Sequence, residues 1–345
     1  MTERLLEQLK QVDPVDKNAV RDRVPPSEVL TAIMDSEQAT ESEPRRTLRT
    51  RGLALAAAGA AAIIAVVSSL PGREGASPEA VSALEAVAAI ASAETPPPSA
   101  GGDIDYYKTV STGPGGSSEG RHGARDAYTW QQWETTEDWV APDGSGRQRT
   151  VLGKIEFGNR RDLRDWREAG SPRLGPAPGT VTDKRYGPGE LNGAPYEGEL
   201  PPVRELPADA DELERIFREE QARSSASVPV DAKLFEYAAS VLLSTGSRPQ
   251  LRAAVYELLT RIDGVELEED VEDPLGRRGT GVSLDMDYSG APTRHTVIFD
   301  SETSYPLAYT EEPIPPQPKY LVITIQRYFI ALEESGRVPD LTTRP

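Results

Sequence analysis

The chain has 345 residues, with no cysteine and only two histidines, His122 and His295. The lack of cysteine excludes disulfide bonds, thiolate nucleophiles and zinc–thiolate sites. Two histidines are too few for a typical histidine-based metal cluster. If the folded part is exported, it has to be stabilised by hydrophobic packing, because no covalent cross-link can form.

Several short motifs that usually indicate an enzyme are also missing. The sequence contains no HExxH, SxxK, P-loop or GxGxxG segment, and these patterns accompany metalloprotease, acyl-transfer, phosphate-binding and dinucleotide-binding sites. We therefore predict that the protein is not an enzyme. We likewise predict no catalytic, cofactor-binding or metal-binding residues, and no cofactor.

Basic residues are scarce relative to acidic ones. The 38 Lys and Arg against 56 Asp and Glu give a formal net charge of −18. Binding to a phosphate backbone depends on a local excess of Lys and Arg. The composition therefore argues against a nucleic acid partner.

One long apolar segment stands out in this polar chain. Residues 52–70, GLALAAAGAAAIIAVVSSL, contain no charge and no proline, and nineteen helical residues extend about 28 Å, close to the hydrocarbon thickness of a bilayer. A cleaved signal peptide and a buried helix of a soluble protein are the alternatives. The fifty or so residues that precede the run are too many for a signal peptide, so we favour an uncleaved transmembrane helix of the signal-anchor type.

The charges that flank this run predict its orientation. Arg45, Arg46, Arg49 and Arg51 precede it, whereas Arg73 alone follows closely. Positively charged flanks stay in the cytoplasm. We therefore expect a single-pass protein of the cell membrane with a cytoplasmic N-terminus and an extracytoplasmic C-terminal domain.

The cytoplasmic leader has two short amphipathic patterns, which contain Leu5, Leu6 and Leu9 and then residues 25–34. Two such helices cannot bury a core by themselves, so they either contact a partner or remain a weakly ordered tail. A cytoplasmic sigma factor that binds residues 1–51 is the partner we consider.

The sequence after the apolar run predicts an α+β domain with a curved antiparallel sheet and helices packed on one face. Residues 77–94 predict a helix with Ser77 as its cap, three more helical patterns lie between 209 and 262, and strand-like runs occupy both ends of the domain. Simple hairpin connections favour antiparallel order. The predicted organisation is a leader with short helices at 1–51, a transmembrane helix at 52–70, a juxtamembrane helix and linker at 71–102, an exterior domain at 103–335 with a flexible insertion at 159–207, and a tail at 336–345.

Three groups of residues remain as candidates for chemistry. The acidic run 266–273 could bind calcium, but it lacks the ligand spacing and central glycine of a calcium loop, so we interpret it as solvated surface. Asp285 and Asp287 share a strand face opposite Leu284 and Met286. This alternation of polar and apolar residues is what a strand with one buried face requires. For His122 and His295 we expect solvated or structural roles.

The segments LLEQLKQVDPV, RPQLRAAVYELLTRIDGVELEEDVEDPLGRRGTGVSLD and TVIFDSETSYPLAY resemble an uncharacterised actinobacterial family of single-pass membrane proteins. The resemblance covers essentially the whole chain and implies an envelope protein often encoded beside extracytoplasmic-function sigma factors, with no assigned activity. More loosely, the exterior domain is similar to the half-barrels of lipoprotein-carrier and sigma-regulator sensor domains. That second similarity is an analogy of fold only.

Two functions remain open from the sequence. The first is an envelope sensor or anti-sigma-like regulator, whose leader engages a sigma factor while the exterior domain binds a signal. The alternative is a membrane-anchored binding module for a lipid, another apolar envelope ligand or an envelope protein, which would need a continuous apolar cavity.

Overall fold

The structure is a computed structural model that describes residues 75–94, 102–117, 128–191, 200–223, 228–244, 248–288, 291–315 and 328–345. Within these residues lie five α-helices and nine β-strands. The helices are α1 (Pro78–Ala93), α2 (Arg160–Glu168), α3 (Ala210–Arg223), α4 (Val230–Leu243) and α5 (Pro249–Leu259). The strands are β1 (Ile104–Ser117), β2 (Tyr128–Val140), β3 (Gly146–Glu156), β4 (Val181–Tyr186), β5 (Glu266–Glu272), β6 (Arg278–Tyr288), β7 (Ala291–Phe299), β8 (Pro306–Pro313) and β9 (Tyr328–Val338).

Helix α1 begins where the sequence places its cap. The Ser77 side chain accepts a hydrogen bond from the Ala80 amide, and Pro78 occupies the first turn, where its missing N–H costs nothing. The backbone just before the helix is fixed as well, because the Ala76 amide donates to the Thr260 carbonyl at 3.2 Å and the Ser77 amide to the Val265 carbonyl at 2.8 Å. The predicted helix at 77–94 is confirmed.

All nine strands form one open antiparallel sheet in the order β4-β3-β2-β1-β9-β8-β7-β6-β5. Each half is a simple meander, β1 to β4 on one side and β5 to β9 on the other. The two halves meet where β1 pairs with β9, from Ile104 opposite Val338 to Ser111 opposite Ile330. The predictions of an α+β fold and of antiparallel order are therefore confirmed.

The two faces of the sheet have different surroundings. Alternate strand residues, among them Tyr107, Val282, Val297 and Ile330, join the buried side chains of α1, α3, α4 and α5 in the main core. We call this side the inner face. The residues between them point to the outer face, where they form two smaller clusters around Phe329 and around Trp139.

The predicted insertion at 159–207 contains ordered structure. Helix α2 starts at an Asn159 cap that accepts from the Asp162 amide, and the Asp162 carboxylate accepts from the Thr129 amide at 3.1 Å, which attaches the helix to β2. Strand β4 follows and adds an edge to β3. The acidic run 266–273 also forms a strand, β5, at the opposite edge of the sheet.

The predicted leader 1–51 and the predicted transmembrane helix 52–70 lie outside the described residues. Among the residues that the structure describes, no helix is both long and apolar enough to cross a membrane.

A fully buried arginine connects three parts of the fold. Arg252 on α5 has an exposed fraction of 0% and pairs with the carboxylate of Glu94, the residue that ends α1. Its Nε donates to the Ser304 hydroxyl at 3.1 Å, and its guanidinium stacks over the Tyr305 ring, 4.4 Å from the centroid. The Tyr305 hydroxyl donates to the same Glu94 carboxylate at 3.0 Å. One buried cation thus joins α1, α5 and the β7–β8 turn.

We expect Glu94→Ala to lower the free energy of unfolding by about 3 kcal/mol, because it leaves the buried Arg252 guanidinium without its carboxylate. Urea unfolding followed by tryptophan fluorescence measures this change. Glu85→Ala is the matched control, since Glu85 lies on the exposed side of the same helix. Equal stability of the two variants would contradict the role given to the Glu94–Arg252 pair.

Candidate functional site

A chain of buried polar side chains crosses β7 and β8 on the inner face of the sheet. His295 is 2% exposed, and its Nε2 lies 2.9 Å from the Thr293 hydroxyl while its Nδ1 lies 2.5 Å from the Tyr309 hydroxyl. The Tyr309 hydroxyl in turn donates to Glu311 Oε1 at 3.1 Å. Strand alternation explains this arrangement, because residues two apart on a strand share a face.

The direction of the hydrogen bonds follows from the number of protons. The single proton of the Tyr309 hydroxyl is donated to Glu311, so His295 Nδ1–H is the donor to the Tyr309 oxygen. In the neutral ring that burial favours, His295 Nε2 has no proton and accepts from the Thr293 hydroxyl. Neutral imidazole thus satisfies both ring contacts, with one nitrogen as donor and the other as acceptor.

The electrostatics of the cluster agree with a neutral histidine. Burial lowers the pKa of His295 to about 4, although the charges of Glu236 and Asp285 act in the opposite direction. Burial also raises the pKa of Glu311, against the hydrogen bond from Tyr309. The charge of Glu236 on α4 acts on both His295 and Glu311, and Glu236 forms an ion pair of 3.0 Å with Lys233 of the same helix.

A second polar centre lies on the outer face, around Glu137 of β2. Glu137 is 3% exposed, and its carboxylate accepts from the Tyr106 hydroxyl at 3.0 Å and from Arg149 at 2.9 Å. Arg344 supplies two further hydrogen bonds, from Nε to Oε1 and from a terminal nitrogen to Oε2, the latter at 2.9 Å. Burial acts to raise the pKa of Glu137, but the hydrogen bonds from Arg344, Tyr106 and Arg149 outweigh it and hold the pKa below its usual value.

The segment Pro339–Pro345, which we call the strap, lies over this centre. The Trp139 indole N–H donates to the Thr343 carbonyl at 2.7 Å, and an Arg147 nitrogen donates to the Leu341 carbonyl at 3.2 Å. The start of the strap is a turn around Asp340, whose carboxylate accepts from the amides of Thr342 and Thr343. The part predicted as a tail, 336–345, thus comprises the end of β9 and the strap.

The aromatic residues of β2 divide between the faces as their alternation predicts. Trp139 packs on Tyr106 with ring centroids 5.3 Å apart, and Trp133 packs edge-on against Phe329 at 5.0 Å. Both therefore belong to the outer face, whereas Trp130 has the opposite parity. Side chains of neighbouring strands, and at Trp139 the strap, cover this aromatic surface.

One cavity of about 240 Å³ lies elsewhere, between the end of α1, the start of α3 and the length of α5. Asp209, Asp211, Glu257 and Arg261 are among its lining residues, so its surface is largely polar. None of the residues around His295 or Glu137 lines it. It offers hydrogen-bonding groups rather than an apolar surface.

Two of the residue groups singled out from the sequence meet at one arginine, because Arg294 pairs with both Asp285 and Glu268 of the acidic run. Asp285 and Asp287 are exposed on β6 while Leu284 and Met286 are buried, and Asp285 pairs with Arg294 at 2.7 Å. In the acidic run, Asp273 accepts from the Arg277 side chain at 2.8 Å. Among the described residues no group of three or more acidic or histidine side chains could hold a metal ion. His122 lies outside the described residues.

A pattern typical of hydrolase nucleophiles occurs at residues 116–120 of the sequence. Residues 116–120 spell GSSEG, which matches the letters GxSxG. In a hydrolase this pattern marks a nucleophile only at a sharp turn from a strand into a helix. Gly116 and Ser117 are still strand residues of β1, paired with β2, and residues 118–120 lie outside the described part.

Neither polar centre was identified from the sequence. His295 was expected to be structural or solvated, and the four-residue chain that includes it depends on the register of β7 against β8. The spacing of Thr293 and His295, and of Tyr309 and Glu311, was the available signal for the first centre. Nothing local indicates the second, because Glu137 and Arg344 are separated by 207 residues.

Comparisons with known proteins give no relative: no family model, no curated protein and no solved structure matches the chain.

We expect His295 to make the domain sensitive to acid. A folded-state pKa of about 4, below the usual value of 6.5, means that protonation favours the unfolded chain, so stability is lost as the pH falls from 6.5 towards 4. The full loss corresponds to about 3 kcal/mol. Urea unfolding at pH 7 and at pH 4 measures it.

The control is the same pair of measurements on His295→Gln and Glu311→Gln. In His295→Gln, the part of the stability loss at pH 4 that is due to the histidine should disappear. In Glu311→Gln it should remain. Glu311 titrates in the opposite sense, because its raised pKa means that protonation favours the folded state. An acid loss in His295→Gln as large as that of the wild type would contradict the prediction.

Proposed function

We propose that the chain is a single-pass membrane protein whose folded domain acts as an envelope sensor or anti-sigma-like regulator and not as an enzyme. The apolar run 52–70 is the anchor, the leader 1–51 is cytoplasmic and contacts a sigma factor, and the domain that contains the nine-stranded sheet, in a curved form, lies outside the membrane. The resemblance to actinobacterial proteins encoded beside extracytoplasmic-function sigma factors supports the same assignment.

The attachment of α1 is the observation that supports a signalling role. Residues 71–75 alone separate the apolar run from Ala76, whose amide is bonded to Thr260 at the end of α5. At the far end of α1, Glu94 pairs with the buried Arg252. Because α1 is fixed at both ends, a conformational change in the domain would move α1. Its start lies only a few residues along the chain from the proposed anchor.

The packing of the inner face favours this function over the lipid-binding alternative. The main core of side chains occupies the space between the helices and the sheet, with Phe235, Leu242, Leu258 and Phe299 each no more than 1% exposed. A module for an apolar ligand needs an open apolar cavity there. One cavity near α3 and α5 has a largely polar surface, with Asp209, Asp211, Glu257 and Arg261 in its lining, and so does not suit an apolar ligand.

The test is co-purification of the tagged full-length chain from its native host after cross-linking. We expect a sigma factor of the extracytoplasmic-function class to be recovered with the wild type and lost when Leu5, Leu6 and Leu9 are all changed to Asp, because the sequence pattern predicts these side chains on the apolar face of a leader helix. The matched control changes Glu7, Gln8 and Gln11 to Ser and should keep the partner.

Recovery of the same proteins with both triple variants, or of no sigma factor with any chain, would contradict the regulator. The binding module would then be the better proposal. Membrane fractionation of each variant shows whether the anchor is intact, so a chain lost from the membrane is not mistaken for loss of the partner.

A further inference from the structure

The surface under the strap has the construction of a peptide-binding site. Its three central side chains are buried, with exposed fractions of 0% for Tyr106, 3% for Glu137 and 1% for Trp139. The strap that covers them is exposed to solvent over most of its length, and the Arg344 side chain is 56% exposed. The sheet therefore contributes a fixed receptor surface and the strap a ligand that lies on it.

The contacts define what the surface recognises. Glu137 receives two N–H groups from one guanidinium, a geometry that arginine can supply and lysine cannot. The Trp139 indole binds the carbonyl of the residue before that arginine, and Arg147 binds a carbonyl two residues earlier. Backbone carbonyls are the same in every sequence, so the guanidinium and nearby apolar contacts set the specificity.

Two apolar contacts add to the pattern. Leu341 packs against the cluster of Tyr106, Trp139 and Val338. Pro345 lies directly on Gly336 of β9, where an added Cβ would be 2.8 Å from the proline ring. The bound sequence is thus an apolar residue, two residues of any type, an arginine and a proline.

Departure of the strap does not leave a buried charge without a partner. Arg149 and the Tyr106 hydroxyl bind Glu137 from the sheet itself, whether or not Arg344 is in place. A buried carboxylate that lost all of its partners would be very unfavourable. Here the remaining ion pair keeps the site formed, so another arginine can replace Arg344.

We propose that this outer-face surface is a binding site for an arginine-containing peptide segment of a partner protein, and that the strap occupies it until such a segment displaces it. The partner segment is extended and places an apolar side chain three residues before its arginine, as the strap does with Leu341 and Arg344. The proposal does not depend on the membrane role above, because it uses contacts within the described domain alone.

The experiment uses the purified full-length chain in detergent and a fluorescently labelled peptide of sequence PDLTTRP, which copies residues 339–345. Fluorescence anisotropy measures binding to the wild type and to Arg344→Ala, in which the strap loses its guanidinium. We expect the variant to bind the peptide at least about tenfold more tightly than the wild type, since the peptide no longer competes with Arg344. The peptides PDLTTAP and PDLTTKP should bind the variant about tenfold more weakly than PDLTTRP.

Two further variants in the Arg344→Ala background locate the site. Glu137→Gln should abolish the preference for PDLTTRP, whereas Glu134→Gln, which changes a carboxylate of the same strand on the opposite face, should retain it. Equal affinity for the arginine and alanine peptides, or no gain in Arg344→Ala over the wild type, would overturn the proposal. The peptide comparison leaves the buried carboxylate unchanged, so it decides the matter even if Glu137→Gln fails to fold.

Discussion

The pairing of β1 with β9 is the contact on which the rest of the domain depends. Each half of the sheet is a local meander, so without this ladder there would be two narrow sheets with four open edges in place of one broad sheet with two. The β1–β9 ladder converts the two halves into one sheet broad enough for α1, α3, α4 and α5 to cover. It also directs the chain that follows Val338 onto the outer face of β1 and β2, which creates the site under the strap.

Buried charges in this domain serve as connectors between elements. Arg252 joins α1 to α5 and to the β7–β8 turn, and Glu137 joins β1, β2, β3 and the strap. Each of these ions is surrounded by several hydrogen-bond partners, which offsets much of the cost of removing it from water. Such ions favour one arrangement of the core over others more than they add to its stability, because a rearranged core would leave them unpaired.

Local sequence patterns account for most of the elements and for few of the contacts between them. The cap and proline of α1, the apolar periodicity of α4 and α5 and the alternation in β2 and β6 are signals within one element, and each corresponds to the structure. Strands β4 and β5 are harder to predict from the sequence, because VTDKRY and ELEEDVE are charged edge strands with little burial on either face. The Glu137 site could not be inferred at all, since its parts meet only after the ends of the domain have been brought together.

The same charged edge strands affect how copies of the domain meet one another. An open sheet exposes a row of backbone donors and acceptors at each end, and an unprotected edge can pair with the edge of another molecule. Here the β5 end presents Glu266, Glu268 and Glu272 beside a kink at Asp270, which has a φ of 56°. Two such ends repel each other and do not lie flat together. The acidic side chains of β5 therefore disfavour edge-to-edge pairing between the β5 ends of two copies.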